Sequence, residues 1–250
     1  MRIAVIADIH GNSAALDAVL ADIAAQAPDL TVNLGDCLSG ALDPAGTAAR
    51  LMALGLPTVA GNHDRWLIDR PIAAMGLYER LTWPEIGQPE RAWLATLPPR
   101  IEIEGVLFCH GTPAADDVFW LDLPRDGEMA LAPADWIERH GAGVPNRLIL
   151  CGHTHVPRLV RLADGRLVVN PGSVGNPAYA DPRPPRPYGL STGLPDARYA
   201  LLTRRDGGWR AELRHVPYDA RGMIALAEAK GMPDWAEALA TGWIGGRESS

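Results

Sequence analysis

The sequence predicts an α/β protein built on two β-sheets. Three observations carry that prediction. Short apolar, β-branched runs alternate with helical spacings through the first half of the chain. Hairpin signals dominate the second half. Each apolar run also ends in residues of the kind that bind metals, as strand ends converging on one sheet edge do.

The first half sets the alternation. "RIAVIAD" (2–8) and "LTVNLGD" (30–36) read as parallel strands covered on both faces. Between them, Leu16, Val19, Leu20 and Ile23 keep the i, i+3, i+4, i+7 spacing of a helix, with Asn12 or Ser13 as its cap and Pro28 at its end. Asp43-Pro44 reads as an N-cap followed by proline at the first helical position, opening a helix through about Leu54. "PTVAGNHD" (57–64) is expected to be a third strand running into a loop, which completes β-α-β-α-β.

The second half is richer in antiparallel signals, and the first sheet is expected to be the mostly parallel one. "RIEIEGVLFCHG" (100–111) gives two strands joined at Gly105, and "RLILCGHTH" (147–155) a strand entering a loop. "RLVRLADGRLVVNPGS" (158–173) is a hairpin turning at Asp164-Gly165, and a second hairpin spans Tyr199 to Tyr218 around "RDGG". Residues 112–146 form an elaborating loop with one helix near Pro133 to His140. Residues 181–198 are proline-rich and are expected to exclude a central strand or helix. With no internal repeat and no linker, the chain reads as one domain over 1–250, closing with the hairpin and helices of 199–250.

Composition narrows the partners. A chain of 250 residues can bury one substantial core, and 47% hydrophobic with 21% charged residues describes a soluble globular protein. The net charge of −7 argues against a stable nucleic-acid complex or adhesion to anionic membrane, while bound divalent cations would still admit a phosphate ester. The opening "MRIAVIADIHG" reads as a strand rather than a leader, and no run approaches the roughly 20 apolar residues of a membrane span. Cys37, Cys109 and Cys151 cannot close a disulfide framework, so a cytoplasmic setting is expected.

The strand ends deliver Asp8-Ile9-His10, Gly35-Asp36, Gly61-Asn62-His63-Asp64, His110-Gly111 and Gly152-His153-Thr154-His155, which hold five of the seven histidines. Any one of these fragments has a plain structural reading as a cap or turn; together they point to a shared metal centre. Carboxylate, imidazole and amide oxygen form a mixed donor set that suits Mn, Fe, Co, Ni or Zn better than Ca or Mg. The donors outnumber the needs of one four-coordinate ion, and two ions sharing the Asp36 carboxylate is the economical solution. Cys37 and Cys109 should face away from the ligand side as small buried hydrophobes. His140 and His215 stand outside the motifs and read as structural or exposed. "DDVFWLD" (116–122) offers Phe119 or Trp120 as a cleft wall, or as plain core.

D-x-H, G-D, G-N-H-D, H-G and G-H-T-H, in that order across 8–155, resemble the calcineurin-like metallophosphoesterases, in particular the small bacterial and archaeal phosphodiesterase branch. "NPGSVGNP" (170–177) extends the likeness. The resemblance implies a four-layer αββα sandwich of two mixed sheets flanked by helices, with a dinuclear metal site at the C-terminal edge of the strands. It implies that Asp8, His10, Asp36 and His155 hold one metal, and that Asp36, Asn62, His110 and His153 hold the other. His63 would face the leaving-group oxygen, with Asp64 supporting His63 or its loop. The implied reaction is phosphate-ester hydrolysis by a metal-bridging hydroxide, with two divalent transition-metal ions, manganese foremost.

A diester substrate is preferred, because a dianionic monoester asks for extra cations and the motifs carry only Arg65. Arg183 and Arg186 are the other candidate substrate-binding cations, from the proline-rich loop. The alternatives are a phosphomonoesterase or protein phosphatase of the same superfamily, or a non-catalytic metal-binding scaffold. A small phosphate ester is the expected partner, with nucleotides and cyclic nucleotides among the candidates and a homo-oligomer left open.

Overall fold

The computed structural model describes residues 1–183 and 187–245. In chain order the elements begin with β1 (Arg2–Ile6), α1 (Ser13–Gln26), β2 (Leu30–Asn33), α2 (Pro44–Leu54), α3 (Asn62–Asp69), α4 (Leu77–Thr82) and α5 (Gln88–Leu94). Then follow β3 (Arg100–Ile103), β4 (Val106–Cys109), β5 (Asp122–Arg125), β6 (Glu128–Leu131), α6 (Ala134–His140), β7 (Leu148–Leu150), β8 (Arg158–Arg161) and β9 (Leu167–Asn170). The chain closes with β10 (Ala178–Asp181), β11 (Tyr188–Ser191), β12 (Ala197–Arg205), β13 (Gly208–Val216), α7 (Arg221–Ala229) and α8 (Pro233–Thr241).

Two mixed sheets form the centre, in the orders β13-β12-β1-β2 and β3-β4-β7-β9-β8. Period-two alternation along the strands builds the layers. Ile3, Val5 and Ala7 face Val106, Phe108, Leu148, Leu150 and Val169 across the sheet–sheet interface. The intervening Ala4 and Ile6 turn outward, onto Leu16, Val19 and Ile23 of α1 and Leu51 of α2. On the far side Leu107, Cys109, Ile149, Cys151 and Val168 pack against Trp120 and against Ile137 of α6. This is the αββα order. The three cysteines are free and buried, and Cys37 joins the α1 side of the core.

Local signals account for the element ends. Asn12 caps α1 by accepting from the Ala15 N–H, and Asp43 caps α2 by accepting from Gly46, with Pro44 at the first helical position. Glu104 and Gly105 both adopt positive φ at the tight β3–β4 turn.

Four expectations need correction. The 199–218 hairpin joins the first sheet, where β12 pairs antiparallel with β1 in the register Ile3↔Leu202, Val5↔Ala200. The first sheet is therefore not mostly parallel: the hairpin covers the edge of β1 that β2 leaves open. The third strand shrinks to one parallel bridge, Asn33↔Thr58, because the chain turns into α3 at Asn62. The 112–146 loop carries the β5–β6 hairpin as well as α6. A third sheet, β10-β11-β6-β5, joins the two elaborating loops, and β11 lies inside it. Four of the five prolines precede β11 and Pro195 follows it, so its Tyr188-Gly189-Leu190-Ser191 run keeps its donors.

Candidate metal centre

The loop after β1 is tied to the loop after β2 by backbone hydrogen bonds from Asp8 to Gly35 and from Ile9 and His10 to Asp36, each 3.0 Å. Val174 and Gly175 bond back to Ala7 and Asp8, and Gly152 N–H bonds to the His110 carbonyl at 2.6 Å. These ties force the loops into close contact. A Cβ on Gly61 would meet Asp36 Oδ1 at 2.1 Å, so only glycine lets this loop pass over the carboxylate. Of eight non-glycine residues at positive φ among the described residues, five are Asp8, His10, Asp36, His153 and His155. Backbone held in that sparsely populated region concentrates where function demands a fixed side-chain direction.

The side chains form two groups: Asp8, His10 and His155, and Asp36, His110 and His153, each with its potential ligand atoms within 4.8 Å of one another. Asp36 Oδ2 lies 3.2 Å from His110 Nε2 and 3.8 Å from His10 Nε2, between the two groups. Asn62 Oδ1 stands 3.1 Å from His110 Nε2. Backbone carbonyls fix the imidazoles: the Nδ1–H groups of His10, His110 and His155 donate to Ser39, Leu34 and Asn176 at 2.7, 2.8 and 3.0 Å. That leaves each Nε2 directed inward, as backbone carbonyls behind metal-bound histidines do.

These donors fit divalent cations. His10 Nε2 and His155 Nε2 face each other at 3.1 Å, two lone pairs meeting at a distance that only positive charge between them makes favourable. His153 Nε2 is buried without a hydrogen-bond partner. Burial pushes the Asp8 carboxyl up to about 8 and the His10 and His153 imidazoles down to about 4 and about 3, so these imidazoles are neutral, the form that ligates. Burial opposes a charged Asp36, but His110, His63 and His10 around it hold it well below the usual carboxylate range. Burial likewise opposes a charged His110, but Asp36 and Asp8 push it up to about 10. Protons thus balance this cluster when cations do not, and a metal would displace them.

His63 stands beside the groups, not in them. Its N–H donates to Asp36 Oδ1 at 2.9 Å, its ring is edge-on to His10 at 5.4 Å, and Nδ1–H donates to the buried Glu79 carboxylate on α4. Burial opposes a charged His63, but Asp36 and Glu79 raise its pKa above the ordinary value. Asp64 does not touch His63: it accepts from the N–H groups of Asp36, Cys37 and Gly61 at 2.8, 2.9 and 3.0 Å and so ties two loops together.

The three candidate arginines part company. Arg65 is absent from the cleft lining and makes a bidentate pair with Asp116, 2.6 Å in both arms, fastening the 112–119 segment to α3. Arg183 lines the cleft and is clamped by Asp181 at 2.8 and 2.5 Å. Arg186 lies outside the described residues. Phe119 lines the cleft, whereas Trp120 is core and donates its indole N–H to Ile137. His140 closes α6 and His215 lies on β13, both away from the cleft.

Glu79, Tyr78, Tyr179, Tyr188 and Trp235 also line the cleft and were not singled out from sequence. The one signal for Glu79 was a carboxylate in the short, mostly apolar segment "GLYERLTW", which marks no partner until the fold supplies His63.

Known proteins resemble this chain in sequence and fold. A crystal structure of a metallophosphoesterase from Sphaerobacter thermophilus is similar, with a TM-score of 0.74 and 25% identity over 97% of this chain and 100% of that one. A putative diadenosine tetraphosphatase shares the fold at a TM-score of 0.52 and 20% identity, over 85% of this chain and 93% of its own. An uncharacterised protein of Methanocaldococcus jannaschii is 26% identical over 93% of this chain and 94% of its own length. The sequence pattern of the calcineurin-like phosphoesterase superfamily domain matches residues 1–188, and the chain belongs to that superfamily.

Proposed function

We propose that this phosphoester hydrolase is a dinuclear-metal phosphodiesterase. Asp8, His10, Asp36 and His155 would hold one divalent ion, and Asp36, Asn62, His110 and His153 the second, with Asp36 shared. When bound, such ions lower the pKa of water towards neutrality and stabilise charge on phosphoryl oxygens. The mixed nitrogen and oxygen donors suit Mn, Fe, Co, Ni or Zn.

The chain's own residues do the rest. The Glu79 carboxylate holds the His63 ring through Nδ1–H, which leaves Nε2–H to donate a proton to the departing ester oxygen. Asp64 keeps the Asp36 and Asn62 loops in register.

The observation that carries the diester reading is the charge of the cleft lining. Among the described residues outside the metal-ligand set it holds two guanidiniums, Arg70 and Arg183, the His63 imidazole, and two carboxylates, Glu79 and Asp181. Arg183 is matched by Asp181 and His63 by Glu79, and Arg70 lies over the Trp66 ring at 4.0 Å. Among the described residues a dianionic monoester therefore meets Arg70 as the one unmatched guanidinium of the lining, while a singly charged diester asks for none. With Mn²⁺-loaded protein, kcat/KM for bis(p-nitrophenyl) phosphate should exceed that for p-nitrophenyl phosphate by about tenfold or more. The reverse order would refute the diester reading.

A further inference from the structure

Six of the chain's fifteen Phe, Tyr and Trp residues line this one cleft: Trp66, Tyr78, Phe119, Tyr179, Tyr188 and Trp235. Its volume is about 410 Å³, within the range of sites that enclose a small organic ligand. The rings fall into two groups. Trp66 and Tyr78 attend His63, at 4.8 and 6.5 Å between centroids, and Trp235 stands edge-on to Tyr78 at 4.8 Å. Trp235 comes from α8, beyond the residues that match the superfamily pattern.

The second group runs between the two histidines of G-H-T-H. Phe119 lies 4.7 Å from His153 with its plane tilted by 32°, Tyr188 stands edge-on to Phe119 at 5.8 Å, and Tyr179 stands edge-on to Tyr188 at 6.0 Å and to His155 at 5.0 Å. All three are half-buried, so each keeps surface to offer. They are also firmly mounted. Tyr179 and Tyr188 sit on the paired strands β10 and β11, and the Arg65–Asp116 clamp anchors the segment that leads to Phe119. A preformed aromatic face binds a flat partner without the cost of ordering itself.

From this arrangement we infer that the enzyme selects phosphodiesters whose retained ester group carries a planar aromatic ring, held against the aromatic wall of Phe119, Tyr188 and Tyr179. The inference rests on the diester reading above. Its direction follows from His63: the rings beside that imidazole flank the departing alcohol, so the group that stays on phosphorus takes the other wall. A nucleoside and a simple aryl group share the required chemistry.

Three diesters with a common p-nitrophenolate leaving group and retained methyl, phenyl or thymidine 5′-O groups test it with Mn²⁺-loaded protein. The aromatic esters should exceed the methyl ester in kcat/KM, with thymidine above phenyl if the source is a nucleoside and the reverse if it is an aryl group. Phe119→Leu, which keeps apolar bulk, should lower the aromatic-to-methyl ratio about fivefold or more, and Tyr188→Leu should act in the same direction. Comparing ratios between wild type and variant cancels the intrinsic reactivity of each ester. Diester turnover with a ratio that neither variant moves would overturn this inference and leave the diester reading standing. Hydrolysis of p-nitrophenyl phosphate with none of the three diesters would overturn both.

Discussion

His63 takes its supporting carboxylate from α4, sixteen residues further along the chain, instead of from its own loop. Glu79 is 2% exposed, and its bond to Nδ1 leaves Nε2 as the free ring nitrogen. His63→Ala should keep both metals and lose turnover, most severely for esters with poor leaving groups. Glu79→Gln should leave metal content intact and lower kcat by about 10- to 100-fold with little change in KM. Kinetics across a leaving-group series, alongside elemental analysis, checks both variants, and loss of metal from either would contradict the separation of proton donor from ligand. At this scale the seven candidate ligands were legible because each directly ends an apolar run in a compact motif. Glu79 and the cleft aromatics other than Phe119 were not, since only tertiary packing brings them to His63 and His155.

At the scale of elements, the centre depends on loops that pass one another at contact distance. A Cβ at Gly61 would strike both Asp36 Oδ1 and the Asp36 N–H, while Asp64 ties the same two loops from behind. Gly61→Ala should therefore displace the shared carboxylate and weaken metal binding by about 10- to 100-fold, as other disruptions of ligand support do. Calorimetric titration with Mn²⁺ measures this, and unchanged affinity would show that the loop can yield. Caps and turns were readable here: Asn12, Asp43-Pro44 and Asp164-Gly165 act where local chemistry places them. The 57–64 strand was misread because its apolar run is cut short by α3, and β11 was missed because the prolines before it masked a strand that starts after them.

Across the whole molecule, the αββα layers hold the five loops on one edge, and alternation along β1, β4, β7 and β9 divides their side chains between neighbouring layers. The layer plan was legible from that alternation. The pairing of β12 with β1 and the third sheet were not, because they join segments almost two hundred and about sixty residues apart by edge geometry, which leaves no periodic trace. Among the described residues, no helix is long and apolar enough to cross a membrane. The central claim is a pair of metals sharing Asp36. Elemental analysis after Mn²⁺ reconstitution and gel filtration tests it most directly, on wild type and on Asp36→Asn. The expected result is two ions per chain in wild type and one or none in the variant, with activity lost in step. One ion in wild type, or an active variant that retains two, would contradict the shared centre.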